Sequence, residues 1–173
     1  MNGDKRIGRL RCGGFTLPEV LVASAISVLV VAGMIGFFVS TLSYWHQVNL
    51  RTDADREVNI AMSRMVYGMG DRFGLRAASA SSNGVQIVAV NGGGWTVNYD
   101  TGGASPQTNS FTFSPTARTL VFNPGSQVAG RDIAWSQVWR TNSTLVISSR
   151  VEKVEGRLSA SREIGTTVYL RNR

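Results

Sequence analysis

The sequence contains few of the residues that build disulfides, metal sites and nucleophilic active sites. Its 173 residues include one cysteine, Cys12, and one histidine, His46. A single cysteine cannot form an intramolecular disulfide, and these two residues give no nucleophile with a general base beside it. The glycine run at residues 91–94 lacks the spacing of a phosphate-binding loop. The segment 100–108 has one carboxylate, Asp100, which is too few for calcium. We therefore predict no enzymatic activity, no cofactor and no metal site.

Charged residues are also missing from a long apolar run. Residues 20–42 contain no Asp, Glu, Lys or Arg. At about 1.5 Å per residue, a helix of this length is roughly 34 Å long, which is enough to cross a bilayer core. The first 14 residues carry four basic side chains against one acidic side chain. The positive-inside rule then places the N-terminus in the cytoplasm and the rest of the chain across the membrane.

Two common interpretations of such a run fit incompletely. A secretory signal peptide cut at Ala23-Ser24-Ala25 would have an apolar core of only residues 15–22, which Pro18 and Glu19 interrupt. A plain signal anchor explains the basic flank and the length, but it leaves Glu19 unexplained. Acidic side chains inside a membrane span cost on the order of 2.5–3.5 kcal/mol and usually have a partner. Glu19 is therefore expected to have one.

The sequence around Glu19 carries a recognisable pattern. Residues 14–19 read Gly-Phe-Thr-Leu-Pro-Glu, after a short basic leader and before the apolar run. This pattern resembles the type III signal of type IV pilins and type II secretion pseudopilins. The resemblance implies that prepilin peptidase cuts after Gly14 and methylates the new terminal amine of Phe15. It also implies that Glu19 pairs with the Phe15 amine of a neighbouring subunit as subunits stack.

Elementary electrostatics supports a pairing role for Glu19. A carboxylate and an ammonium attract strongly in a low-dielectric medium, and either group is costly there without the other. Such a pair favours one register between neighbouring helices. Pro18 is compatible with a helix that starts here, because proline is tolerated in the first helical turn.

The pattern of the chain predicts three segments: a leader at 1–14, a transmembrane helix at 15–42 and a globular domain at 43–173. Tyr44, Trp45 and His46 fall at the expected membrane interface, where aromatic residues are common. We interpret His46 as an interfacial polar residue.

The helix is expected to continue from the span to about Met69. Val58, Met62, Met65 and Met69 recur at helical spacing and should be half-buried under the globular domain. Arg51 lies four residues before Asp55, and the two are expected to form a surface pair.

After residue 74 the chain is rich in Gly, Ser, Asn and Thr and has short alternating segments, which is typical of strands and turns. Strands are predicted at 85–90, 94–100, 110–114, 118–123, 133–139, 144–151 and 164–171, with 151–160 as a further strand. A long N-terminal helix packed on an antiparallel sheet gives an α+β, pilin-like fold.

The resemblance implies a filament subunit in the inner membrane, with the N-terminus cytoplasmic and the C-terminal domain periplasmic. Major pilins often close a disulfide loop and major pseudopilins bind calcium, and neither feature is visible here. The expectation is therefore a minor subunit, similar to J-type minor pseudopilins or minor pilins, with a tip or priming role. Its partners would be prepilin peptidase and other minor and major pilins or pseudopilins.

Two other functions remain open at this point. A DNA-uptake or adhesive minor pilin would expose a basic or aromatic patch, for which Trp135 and Trp139 are candidates. An unprocessed bitopic signal-anchor protein would keep its leader. Removal of the leader would leave 14 basic and 10 acidic residues, a net charge of +4. That charge is too small to argue for nucleic-acid binding, and none is predicted.

Overall fold

The computed structural model describes residues 14–81, 83–101 and 107–171. The predicted leader therefore lies outside the described residues except for Gly14, and so does Cys12. Most of the segment 100–108 also lies outside them. The chain divides into two compact units, one ending at Tyr44 and the other beginning at Trp45.

The first unit consists mainly of the first part of helix α1, Leu17–Tyr67. This helix is long and apolar enough to cross a membrane, with a mean hydropathy of 2.5 in its most apolar window, and none of that window is buried. Several of its hydroxyl side chains donate to carbonyls of the preceding turn. They are Ser24 to Leu21 O, Ser27 to Ala23 O, Thr41 to Phe37 O and Ser43 to Val39 O, at 2.8–3.1 Å. The helix therefore satisfies these polar groups itself, as an apolar medium requires.

The helix is slightly shorter than the sequence predicted. It begins at Leu17 instead of Phe15 and ends at Tyr67 instead of about Met69. The end is set by Gly68, whose φ of 106° lies outside the helical region and is readily adopted only by glycine.

The second unit contains the end of α1 and the strands. These are β1 (Gly68–Met69), β2 (Arg72–Phe73), β3 (Val85–Val90), β4 (Gly94–Asp100), β5 (Thr108–Ser114), β6 (Thr119–Asn123), β7 (Gln127–Gly130), β8 (Ile133–Thr141), β9 (Thr144–Glu155) and β10 (Leu158–Tyr169). A 3₁₀-helix, Leu75–Ala77, follows β2. In the described part of the chain, one sheet has the order β3-β4-β5-β6-β7 and a second has the order β10-β9-β8, while β1 pairs with β2. All these strand pairs are antiparallel. The fold is therefore α+β and pilin-like, as predicted.

The last turns of α1 supply one wall of the hydrophobic core. Val58, Met62 and Met65 are buried, which confirms the predicted stripe, whereas Met69 is half-buried and belongs to β1. Ala54 and Ala61 of the same helix are also fully buried. Small residues at these positions let the backbone of the sheet approach the helix closely.

The closest approach is at the end of β7. A Cβ added to Gly130 would lie 2.7 Å from the Cβ of Ala61. Polar contacts fix the helix on the same segment: Arg64 donates to the carbonyls of Val128 and Ala129 at 3.1 and 3.0 Å. The β6–β7 edge of the sheet is thus held directly against α1.

The two larger sheets share this core. Trp95 of β4 donates its indole N–H to the carbonyl of Ser136 in β8 at 3.1 Å. Arg140 of β8 donates to the carbonyls of Val85 and Ala80, at 3.2 and 2.8 Å. These bonds connect the two sheets, and the bond to Ala80 links the segment before β3 to β8.

Some sequence predictions about the second unit were wrong. The strands predicted at 144–151, 151–160 and 164–171 are two strands of 12 residues each, β9 and β10. The centre of the segment 151–160 forms their turn, because Gly156 adopts a φ of 60° there. The short strands β1, β2 and β7 were not predicted. Asp55 pairs with Arg162 of β10 at 2.9 Å, instead of with Arg51.

Candidate processing and assembly site

The candidate site is the non-helical segment 14–16 and the first turn of α1. Gly14, Phe15 and Thr16 precede the helix, and all three are exposed. The carbonyl of Thr16 accepts the backbone N–H groups of Glu19 at 3.0 Å and Val20 at 3.2 Å. Thr16 is therefore the residue that caps the helix, and Pro18 occupies the first turn, where its missing N–H leaves no broken bond.

Glu19 folds back on the start of its own helix. Its Oε2 accepts the backbone N–H of Thr16 at 3.5 Å. Threonine followed three residues later by glutamate is the capping-box pattern, which satisfies backbone donors that the first helical turn leaves free. A carboxylate there is also favoured by the helix dipole. Sequence reasoning missed this contact, although the Thr-x-x-Glu spacing was visible.

The contact leaves Glu19 available to a second partner. A donor–acceptor distance of 3.5 Å is at the weak end for a hydrogen bond, and a carboxylate has two oxygens that accept bonds. The Glu19 side chain is therefore held close to the start of the helix and is not saturated. In the described part of the chain Glu19 forms no ion pair, so its pairing with an amine stays a prediction.

Gly14 is a glycine that its own chain does not require. A Cβ added there would meet no atom of the described chain within 4 Å. Its φ also lies outside the positive region that excludes other residues. Nothing in the described residues therefore requires a glycine at this position.

The side chains beyond the cap form an apolar surface that the first unit does not cover. Phe15 is 81% exposed, and large apolar residues remain exposed along the helix as far as Trp45. An apolar surface of this size is stable only in lipid or against other apolar chains. Gly33 and Gly36 likewise have open space beside them within the chain.

Other polar groups considered from the sequence do not converge on a second site. In residues 14–81, 83–101 and 107–171 there is no group of three or more His, Cys, Asp and Glu side chains able to hold a metal ion. His46 is exposed. Tyr99 is buried among aromatic rings, and this burial raises the pKa of its phenol. Its hydroxyl donates to the carbonyl of Phe73 at 2.7 Å, which is a structural role.

Comparison with known proteins bears on this same segment. Residues 9–35 match the family model described as the prokaryotic N-terminal methylation motif. No curated protein and no solved structure matches the chain. The match shows the signal of a type IV pilin or pseudopilin precursor, which implies processing by prepilin peptidase and assembly with pilins. Together with the single apolar helix near the N-terminus, it fits a membrane-anchored structural subunit.

Proposed function

We propose that this chain is a minor pilin or pseudopilin, processed at Gly14 and assembled into a filament through Glu19. The observation that carries the proposal is the methylation motif at residues 9–35, which coincides with an exposed, non-helical cut site before an apolar helix. A peptidase needs an accessible backbone outside a helix, and the segment 14–16 provides one. The product would begin at Phe15.

The proposed anchor is residues 15–42, with the N-terminus in the cytoplasm and the domain 43–173 in the periplasm. The exposed apolar surface of the first unit supports this arrangement. So do the hydroxyl groups that bond within the helix, since they remove the cost of placing Ser and Thr in lipid. The basic leader sets the direction.

Assembly would change the partner of Glu19. In the single chain the carboxylate accepts one long bond from the Thr16 N–H. The ammonium group of a neighbouring Phe15 would provide a charge-assisted bond, which is shorter and stronger than a neutral one. The weak existing contact supports this exchange, because little is lost when the carboxylate turns to a new donor.

The proposed minor role, similar to that of J-type pseudopilins and tip or priming subunits, is argued from the composition of the processed chain. The only cysteine is in the leader, so the processed chain could not close the disulfide loop common in major pilins. The described residues include no cluster of acidic side chains suited to the calcium that major pseudopilins bind.

The N-terminus of the protein extracted from membranes tests processing directly. We expect a chain that begins at a methylated Phe15, identified by mass spectrometry. Gly14→Val should abolish the cut without disturbing the fold, since no atom of the described residues approaches this position. Gly36→Val, in the same open surroundings, is the matched control and should be cut normally. A mature chain that keeps Met1 or starts after Ala25 would rule out the proposal.

Glu19 variants test assembly separately from processing. Glu19→Gln should still be inserted and cut at Gly14, because the leader and the apolar run are unchanged. Breaking one side of a buried ion pair costs about 3–5 kcal/mol. Co-purification with the other filament subunits should therefore fall about a hundredfold or more. Normal co-purification of the processed Glu19→Gln chain would contradict the role of this carboxylate.

A further inference from the structure

One face of the three-stranded sheet carries a regular grid of side chains that the proposed processing and assembly do not use. Cross-strand pairing places four rows on this face, each with one residue from β8, β9 and β10. Three of them contain the tryptophans or lie between them and form one patch, and the fourth, Thr141–Thr144–Tyr169, lies beside it. We call the patch of three rows the tryptophan face. Its rows are Trp135–Arg150–Glu163, Gln137–Ser148–Gly165 and Trp139–Val146–Thr167.

The middle row is lower than the rows beside it. Gly165 has no side chain and Ser148 has a short one, so the row forms a shallow trough across the strands. Trp135 and Trp139 stand at one end of the outer rows and are 36% and 44% exposed. They are four residues apart on one strand, which separates them by about 13 Å. Gln137 lies between them and presents an amide.

The charges of the face cancel. Arg150 donates to Glu163 Oε2 through two nitrogens, at 2.9 and 3.2 Å, and Ser148 donates to Glu163 Oε1 at 3.4 Å. The guanidinium and the carboxylate are thus bound to each other beside the trough. A polyanion such as DNA gains affinity from unpaired cations, and Arg150 is already paired with a carboxylate. The face therefore disfavours nucleic acid.

The face is also too polar for the core of a protein interface. Besides the two indoles, Val146 is its one aliphatic side chain, and the other members are amide, hydroxyl, glycine and a salt bridge. Cores of protein interfaces are enriched in aromatic and apolar residues and depleted in charged ones. The combination here is aromatic rings with hydrogen-bonding groups between them.

We propose that the tryptophan face binds an uncharged polysaccharide. A pyranose ring presents C–H groups that stack on the electron-rich face of an indole. Its equatorial hydroxyls are donors and acceptors, which the amide of Gln137, the hydroxyl of Ser148 and the fixed Arg150–Glu163 pair can meet. Two indoles about 13 Å apart on β8 would hold a chain of sugars that passes over Gln137, with its outer groups reaching over the trough toward Gly165.

The site can be tested by a substitution that adds bulk without disturbing the fold. A Cβ added to Gly165 would lie 3.7 Å from the carbonyl oxygen of Ile147 and 3.8 Å from Ser148 Oγ, which are ordinary contacts. A β-branched residue is also favourable in a strand. Gly165→Val should therefore fold normally and fill the trough. Trp135→Ala and Trp139→Ala remove the stacking rings, and Phe73→Ala is the control for an exposed aromatic residue elsewhere.

The measurement is isothermal titration calorimetry of the full chain with chitohexaose, cellohexaose and maltohexaose. The detergent should be lauryldimethylamine oxide, because maltoside detergents carry sugars that would compete. We expect at least one hexasaccharide to bind with little dependence on salt. Gly165→Val, Trp135→Ala and Trp139→Ala should each weaken binding at least about fivefold, by analogy with base stacking on aromatic side chains. Phe73→Ala should bind normally.

Four results would overturn the proposal. None of the hexasaccharides binds at about millimolar concentration, or the three face variants bind as well as the original chain. Alternatively, the chain binds the oligonucleotide (dT)20 with strong salt dependence, or the face variants lose pilin partners while no sugar binds. Those last outcomes would assign the face to nucleic acid or to a protein. None of these outcomes depends on cleavage at Gly14.

Discussion

The contact between α1 and β7 can be tested by adding one methyl group. Gly130→Ala would place its Cβ 2.7 Å from the Cβ of Ala61 and 3.0 Å from Cδ1 of Ile133. Carbon atoms in good contact are about 3.5–4.0 Å apart, so the helix and the strand must separate by about 1 Å. Overpacking of this kind costs about 1–3 kcal/mol of the free energy of unfolding.

The second half of this experiment is Ala61→Gly. Alone it should destabilise the helix by about 1 kcal/mol through propensity, with a further contribution of about 0.8 kcal/mol from the lost methyl burial. In the double variant the added methyl group occupies the space that the deleted one leaves. We therefore expect the double variant to be more stable than the sum of the single changes by about 1–2 kcal/mol.

Urea denaturation of the full chain in detergent, followed by tryptophan fluorescence, measures these free energies, because Trp95 is buried in the core. A neutral Gly130→Ala variant would show that the helix does not lie against β7. Additive single changes would show that the two methyl groups do not meet. Gly93→Ala is an unsuitable control, since Gly93 has a φ of 85°. Val128→Ala, at an exposed position on the same strand, is a better one and should change stability by less than about 1 kcal/mol.

Three further predictions concern the second unit. Tyr99→Phe removes the bond to the carbonyl of Phe73 and should cost about 1 kcal/mol of the free energy of unfolding at neutral pH. Because burial raises the pKa of Tyr99, the original chain should also lose stability above the unfolded tyrosine pKa of about 10. Thermal unfolding at pH 7 and 11 should therefore show a smaller loss for the variant than for the original chain. Asp55→Asn should change the denaturation midpoint little, because both side chains of the Asp55–Arg162 pair are largely exposed and such pairs contribute about 0–1 kcal/mol; a large loss would mean that the pair is desolvated. A chain of residues 45–173 should give a cooperative unfolding transition without detergent. A chain that starts after residue 74 should aggregate, because it lacks the helix stripe that contributes to the core. Size-exclusion chromatography of both chains distinguishes these outcomes.

The parts of the fold that were predicted correctly are those that local pattern determines. The hairpin of β3 and β4 was predicted with its observed bounds, because alternating residues flank an Asn-Gly-Gly turn. The stripe of Val58, Met62 and Met65 follows helical spacing. The β9–β10 hairpin was misread because its apolar alternation fades near Glu152 and Glu155, where the strands extend beyond the core. The four-residue strand β7 depends on its fit against α1, which no local pattern records.

The candidate site divides in the same way. Gly14, Phe15 and Glu19 were predicted as site residues from the pattern Gly-Phe-Thr-Leu-Pro-Glu, and residues 9–35 match the methylation motif. The roles of these three residues in processing and assembly stay predictions. The bond from the Thr16 N–H to Glu19 was not predicted, although the Thr-x-x-Glu spacing is typical of such a bond. The tryptophan face could not be assembled from sequence, since Gly165 reaches the row of Gln137 only through the register of two strand pairs.

The hydroxyl groups of the apolar helix have a consequence for how neighbouring helices choose their alignment. Ser24, Ser27, Thr41 and Ser43 each donate to a carbonyl of their own helix. Because those donors already have acceptors, they stabilise no particular alignment of two such helices in lipid over another. A neighbouring helix could therefore shift or rotate relative to these four hydroxyl groups at small cost in free energy. In the proposed filament, Glu19 at the start of the helix would then contribute to the axial position of each subunit.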